Sequence, residues 1–265
     1  MRVAKKNVRE NYLSNMLKTT GHITIAEAME MLNVSEATVR RLFADMERSG
    51  LAVRNYGGIR PVSQAVNYSF ERNEHVFSQE KQRIGRMAAM FVEDGDTIYL
   101  DCGTTMFQMT LALSERIAEW EFDSLNIITN SLANVQAITT SPKCRVILVG
   151  GEYDSARRDF SGALTERYLA PFHFTKCFFG CDGVSPNSGF SSNQVNISSL
   201  NSQVIEHSDY TYVLLDSSKL GKSSLVSYAQ LCEVDAIITN AEPQGTLRLA
   251  LQDADVRVNV AGGGE

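Results

Sequence analysis

Polar clusters in this chain recur just where short apolar runs stop. Asp101-Cys102-Gly103-Thr104-Thr105 follows the run Thr97-Ile98-Tyr99-Leu100 and opens a helical pattern from Met106 to Leu113. A glycine and successive backbone amides at a helix N-terminus form an anion site, two hydroxyls add donors for phosphate or sugar oxygens, and an aspartate accepts from a sugar hydroxyl. Thr129-Asn130-Ser131, Gly150-Gly151-Glu152, Gly180-Cys181-Asp182-Gly183 and Asp216-Ser217-Ser218-Lys219 end further apolar runs. Taken singly, Gly-Gly and Asp-Gly pairs are turns and a Ser or Thr before a helix is a cap. Taken together, the rim suits a small, polar, phosphorylated ligand.

The runs themselves are Thr97–Leu100, Asn126–Thr129, Arg145–Val149, Cys177–Phe179, Tyr212–Leu215 and Ala236–Thr239, with helical stretches between them. Such alternation predicts an α/β fold, an open and mainly parallel sheet with helices on both faces. Ligands in these sheets bind beyond the carboxyl ends of the strands, where the polar clusters stand.

A second set of residues suggests a different chemistry. Thr24 and Glu27 have capping-box spacing, followed by apolar Ala26, Ala28, Met29 and Leu32. Asn33-Val34-Ser35 breaks that helix; Ser35 is placed to cap a second one, with Val39, Phe43 and Met46 facing inward and Gly50 as its stop. This is helix-turn-helix spacing, in which the start of the second helix meets base edges: Ser35, Glu36, Ala37, Thr38, Arg40 and Arg41. The stretch Leu51 to Arg60 reads as a β-wing turning at Gly57-Gly58, with Arg54, Tyr56 and Arg60 beside the DNA backbone.

The expected organisation is a winged helix-turn-helix over residues 1–62, a linker over 63–76, and an α/β effector-sensing domain over 77–265, whose first helix runs from Ser78 to Val92 with Lys81, Arg83 and Arg86 between its apolar positions. Charge follows the same division. Residues 1–62 hold 10 lysines and arginines against 6 acids, and residues 63–265 hold 15 against 25. A basic head on an acidic body suits one domain that touches DNA and one that does not.

With 265 residues, 43% of them hydrophobic, the chain can form a small head and a sizeable core. No apolar run approaches a membrane span, and the first residues lack the apolar centre of a signal peptide, so the expected location is cytoplasmic. Five cysteines, with no Cys-x-x-Cys pair, read as reduced thiols. His173, Cys177 and Cys181 lie four apart, but within a segment that reads as buried strand; no metal and no cofactor is expected.

In order, SEATVRRLFADMERSGLAVRNYGGI, GDTIYLDCGTT, IITNS, VGGEYD, FFGCDG and DSSKLGK resemble the DeoR family of bacterial sugar-catabolism repressors across nearly the whole chain. HFTKCFFGCDGVSPNSG and the DSSK stretch are most similar to sorbitol-type repressors within it. The resemblance implies a sensor domain like ribose-5-phosphate isomerases and CoA transferases. It also implies a phosphorylated sugar or sugar-alcohol effector lined by Asp101, Gly103, Thr104, Thr105, Asn130, Gly151, Asp182, Gly183 and Lys219. Two stretches depart from the family pattern. Arg40-Arg41-Leu42-Phe43 stands where Arg-Arg-Asp-Leu is common, and Gln194 to Asn201 is neutral where two glutamates and a lysine are usual.

The functional expectation is a homo-oligomeric repressor that binds double-stranded operator DNA under effector control, with no catalysis. Two alternatives stay open: an isomerase-like enzyme carrying a DNA-binding head, with Asp101, Asp182 and Lys219 as its machinery, and a constitutive DNA-binding protein without an effector.

Overall fold

The computed structural model describes residues 9–262 except 11, 15, 18–21, 50, 56, 62–67 and 140, together with the backbone but not the side chains of 55, 60 and 61. The chain forms two compact units, residues 1–67 and 68–265.

In the first unit, helix Ile25–Leu32 begins at a capping box. The Thr24 hydroxyl accepts from the Glu27 amide at 3.2 Å and the Glu27 carboxylate accepts from the Thr24 amide at 2.7 Å. Asn33 ends the helix in the left-handed region, at φ 49°, with its amide turned back to the Glu30 and Met29 carbonyls. Helix Glu36–Arg48 follows, burying Val39, Leu42, Phe43 and Met46. These pack with Leu13, Leu17, Ile23, Ala28, Ala52 and Ile59 into one core.

One local expectation changes. Ser35 occupies the N-cap but its hydroxyl bonds the Thr38 hydroxyl at 3.1 Å, not a backbone amide. The helix is capped at its far end by Ser49, whose hydroxyl turns back to the Asp45 carbonyl at 2.8 Å; Gly50, the expected stop, is the next residue and lies outside the described residues. Strands Ala52–Asn55 and Gly58–Pro61 pair antiparallel as the expected wing, and Ile23–Thr24 adds a third strand beside Gly58–Pro61.

The second unit is built on seven parallel strands. Their order across the sheet is Arg257–Val260, Ala236–Thr239, Thr211–Leu214, Lys176–Gly180, Thr97–Leu100, Leu125–Thr129 and Cys144–Leu148. Side chains alternate between faces along a strand, and here both faces are buried. Tyr99, Ile128, Cys177, Phe179, Val213 and Ile237 enter one apolar core; Ile98, Leu100, Ile127, Phe178, Tyr212, Leu214 and Ile238 enter the other. This is why the strands read as continuous apolar runs.

The expected linker over 63–76 is partly folded structure. Residues 63–67 lie outside the described residues, but Phe70–Glu74 is a helical turn and Phe70 is fully buried. The Phe70 ring meets Phe107 edge-on at 5.4 Å and its amide donates to the Ala156 carbonyl at 2.8 Å. A five-residue turn is too short to show a period, so the sequence pattern conceals it. Helix Ser78–Ala89 then packs on helix Thr104–Ala118. The sequence pattern also left unread the edge strand Arg257–Val260, the hairpin Glu152–Asp154 with Asp159–Ser161, and the antiparallel sheet of Gly183–Ser185, Gly189–Ser192 and Val226–Ala229.

Candidate effector site and nucleic-acid surface

Three adjacent central strands, Thr97–Leu100, Lys176–Gly180 and Thr211–Leu214, deliver their carboxyl-terminal loops to one cavity of about 160 Å³. From these loops come Asp101 to Thr105, Cys181 with Asp182, and Asp216, Ser218 and Lys219. Gly103 sits at φ +108°, a conformation that L side chains rarely adopt, and turns the chain into the 15-residue helix Thr104–Ala118, whose free amides begin at the cavity.

Asp101 is the central group. It is buried, and its Oδ2 accepts from the Gly180 amide at 3.2 Å and from Asn201 Nδ2 at 3.4 Å. Its Oδ1 has no hydrogen-bond partner among the described residues. Burial pushes the carboxyl up to about 6, against the pull of the Cys102 and Gly180 amides and of Arg157. Beside it, Arg157 Nε binds Asp159 at 2.9 Å, one terminal nitrogen reaches Cys102 Sγ at 3.3 Å, and the guanidinium lies 4.6 Å from the centre of the Tyr68 ring. Burial and the neighbouring Asp101 and Asp159 charges keep Cys102 a thiol.

A second cation enters from helix Ser78–Ala89. Lys81 Nζ donates to the Asn73 carbonyl at 2.7 Å and to the Thr104 hydroxyl at 2.9 Å. Burial lowers its pKa, opposed by Asp216 and reinforced by Lys219. Lys81, Arg157 and Lys219 therefore offer positive charge to the same cavity as the Thr104–Ala118 N-terminus, while Asp101, Asp182 and Asp216 offer acceptors. An anionic group and hydroxyls can be held together in such a space.

Of the nine expected effector residues, Asp101, Gly103, Thr104, Thr105, Asp182 and Lys219 line the cavity, and Asn130, Gly151 and Gly183 do not. Asn130 follows a strand nearer the edge of the sheet, and its amide is consumed by the Tyr99 hydroxyl at 3.1 Å and the Phe160 carbonyl at 2.9 Å. The two glycines serve packing. A Cβ on Gly151 would fall 2.0 Å from the Thr165 hydroxyl oxygen, and one on Gly183 would fall 2.6 Å from the Lys222 carbonyl oxygen.

The sequence pattern missed Tyr68, Asn73, Lys81, Arg157 and Ser192 as lining residues, while Asp216, part of the expected rim, lines the cavity. Lys81 was read as one of the polar positions of its helix, yet it is 6% exposed. Its spacing of three and seven residues from Ile84 and Ala88 places it on the buried face of the helix, a sign that its charge had obscured. The neutral stretch 194–201 contributes Ile197 to the lining and the Asn201 bond to Asp101. His173, Cys177 and Cys181 have separate surroundings. His173 pairs with Asp209 at 2.8 Å, Cys177 meets the Ser208 hydroxyl at 2.6 Å, and Cys181 lines the cavity.

In the first unit, Ser35, Glu36, Ala37, Arg40 and Arg41 are exposed and Thr38 is half-buried, all on the first half of helix Glu36–Arg48. Arg40 is held by Glu36 through a 2.7 Å ion pair, and Arg54 on the wing lies 3.5 Å from Glu47. Both pairs are exposed, so they cost little to exchange for another anion. Tyr56 and the Arg60 side chain lie outside the described residues.

A winged helix-turn-helix unit joined to a parallel α/β unit with a charged cavity at its strand ends defines a class of two-part DNA-binding regulators with a ligand sensor. The chain belongs to the DeoR family. The DeoR-like helix-turn-helix domain matches residues 9–65 and the DeoR C terminal sensor domain matches residues 76–241. A lactose phosphotransferase system repressor of Staphylococcus epidermidis is 34% identical over 236 residues, which are 88% of this chain and 91% of that protein. The glycerol-3-phosphate regulon repressor of Escherichia coli is 26% identical over 256 residues, 97% of this chain and 99% of that protein. Among solved structures, a ribose 5-phosphate isomerase A of Methanocaldococcus jannaschii overlaps with a TM-score of 0.40 at 19% identity, over 54% of this chain and 55% of that chain. No helix among the described residues is long and apolar enough to cross a membrane.

Proposed function

We propose that the protein represses a sugar or sugar-alcohol utilisation operon and that a phosphorylated sugar or sugar alcohol controls it through the cavity of the second unit. The observation that carries this reading is the buried Asp101, with one carboxylate oxygen unpartnered among the described residues, beside the Thr104–Ala118 N-terminus and the cations of Lys81, Arg157 and Lys219. A phosphate suits the cationic end, and the carboxylate oxygen awaits a hydroxyl donor. A linear sugar-alcohol phosphate of the sorbitol type is the first effector to test.

DNA is read by the first half of helix Glu36–Arg48, with Arg40 and Arg41 as the leading contacts and Arg54 on the backbone. Two heads on a symmetric operator require a homo-oligomer, acting in the cytoplasm.

The presence of Asp101, Asp182 and Lys219 in one cavity is what an isomerase reading rests on. Against it, Asp182 Oδ2 braces its own loop, accepting from the Asn193 amide at 2.8 Å and the Ser192 hydroxyl at 3.3 Å. A base engaged in this way is poorly placed to take a proton from substrate.

The test is selection of genomic DNA fragments by the purified protein at near-physiological salt, with the Arg40→Ala/Arg41→Ala double variant as control. A recurring site that the double variant loses, and that a sugar phosphate displaces, supports the reading. Equal enrichment by both proteins refutes the assigned helix, and sugar-phosphate turnover in a coupled assay, abolished by Asp182→Asn, refutes the sensor role.

A further inference from the structure

The segment that leads out of the DNA-binding unit forms one wall of the cavity. The first unit ends at residue 67, and Tyr68, Asn73, Val76, Phe77 and Lys81, all within the next fourteen residues, line the site. This segment is fastened at its start by the Tyr68 ring under Arg157 and by buried Phe70. Its far end differs. Phe77 takes a left-handed backbone at φ +53°, a strained state for a side chain of that size, and Val76 and Phe77 are 47% and 43% exposed. Lys81 ties this end down twice: its amide donates to the Phe77 carbonyl at 2.9 Å, and its ammonium spans the Asn73 carbonyl at 2.7 Å and the Thr104 hydroxyl at 2.9 Å.

We infer that Lys81 is an effector-binding residue and a latch, holding residues 73–77 to the anion site when it is empty and releasing them when a phosphate fills it. An ammonium has three donors and no acceptor, and a phosphate oxygen is a stronger acceptor than an amide carbonyl. An anion at the Thr104–Ala118 N-terminus lies where Thr104 already brings the ammonium, so it draws Lys81 away from Asn73. The Asn73 carbonyl also accepts from the Val76 amide at 3.2 Å. Once the ammonium departs, the Asn73 carbonyl keeps only backbone donors and the Phe77 carbonyl its bond from the Lys81 amide at 2.9 Å, so the turn loses its one charged tie while Phe77 stays in the left-handed region.

The inference rests on the sensor reading above, and the test separates the two. Hydrogen exchange of the full chain is followed in residues 69–77, with strands Leu125–Thr129 and Cys144–Leu148 as internal control, in the presence of inorganic phosphate, glycerol 3-phosphate or sorbitol 6-phosphate. Direct titration gives the affinity of each probe. The expected result is that a probe that binds speeds exchange in 69–77 at least about threefold and leaves the control unchanged. Lys81→Met lowers the affinity of that probe about ten- to a hundredfold, as loss of a charge-assisted contact predicts. It also shows the faster exchange with no probe present. Lys81→Gln, which keeps a donor without the charge, gives the same loss of affinity and guards against a packing defect in the methionine variant.

Binding to wild type with unchanged exchange in 69–77, or equal affinity in the Lys81 variants, overturns the inference. If none of the probes binds wild type, the sensor reading fails for these ligands. The free-state comparison then decides the latch alone, and wild-type exchange rates in both Lys81 variants overturn it.

Discussion

Asp101→Asn removes the charge that the structure makes hardest to bury. Burial raises this carboxyl from the usual 3.8 to about 6, so the folded protein holds the proton more tightly than the unfolded chain does. The stabilisation from that proton is complete below the unfolded value and is lost as pH rises through about 6. Two pKa units correspond to about 3 kcal/mol at most. The asparagine can keep an oxygen toward the Gly180 amide and carries no charge, so its stability has no such slope. The gap between variant and wild type is therefore expected to open in favour of the variant between pH 4 and pH 7.5. For a unit of this size, about 3 kcal/mol is about 6–12 °C in Tm. Unfolding in urea and by heat, followed by circular dichroism and by the fluorescence of Trp120, the only tryptophan in the sequence and part of the second unit, measures the gap. The other titrating groups cancel in the difference. A gap that is the same at pH 4 and pH 7.5 would show that burial does not raise the Asp101 carboxyl and would refute the reasoning.

Two further outcomes follow from packing. Leu42 is 6% exposed in the core of the first unit; Leu42→Ala is expected to cost about 2–3 kcal/mol. Thermal unfolding at fixed salt should show the first unit melting early, with effector-probe binding by the second unit unchanged; an unshifted melt places Leu42 at the surface. Gly151→Ala puts a methyl against Thr165 and the Ser161 carbonyl, so it is expected to destabilise the second unit by about 1–3 kcal/mol while leaving probe affinity intact in the surviving folded protein. Titration and melting of the same sample check this, and a selective loss of affinity returns Gly151 to the site.

How much was readable in advance depended on how local the cause was. The capping box at Thr24, the helix end at Asn33, the inward faces of the two helices and the paired wing are set by residues within a few positions of one another, and they stand as expected, apart from the bond of the Ser35 cap. The six apolar runs likewise became strands, because a parallel strand buried on both faces needs apolar residues at every position.

Which strand ends meet is a different kind of fact. Periodicity places polar clusters at five strand ends alike, and the five strands are neighbours in the sheet, yet only the three central ones line the cavity; Asn130 and Gly151 follow the two strands toward the edge and stay outside it. Lys81 and Arg157 are charged residues that read as solvated, and tertiary packing gives each acceptors distant in sequence: Thr104 for Lys81 and Cys102 for Arg157. The amino-acid sequence determined the elements and their order, since hydrophobic period and capping act over single turns. The tertiary structure alone decided which polar groups share a cavity, because burying a charge needs partners that no local pattern specifies.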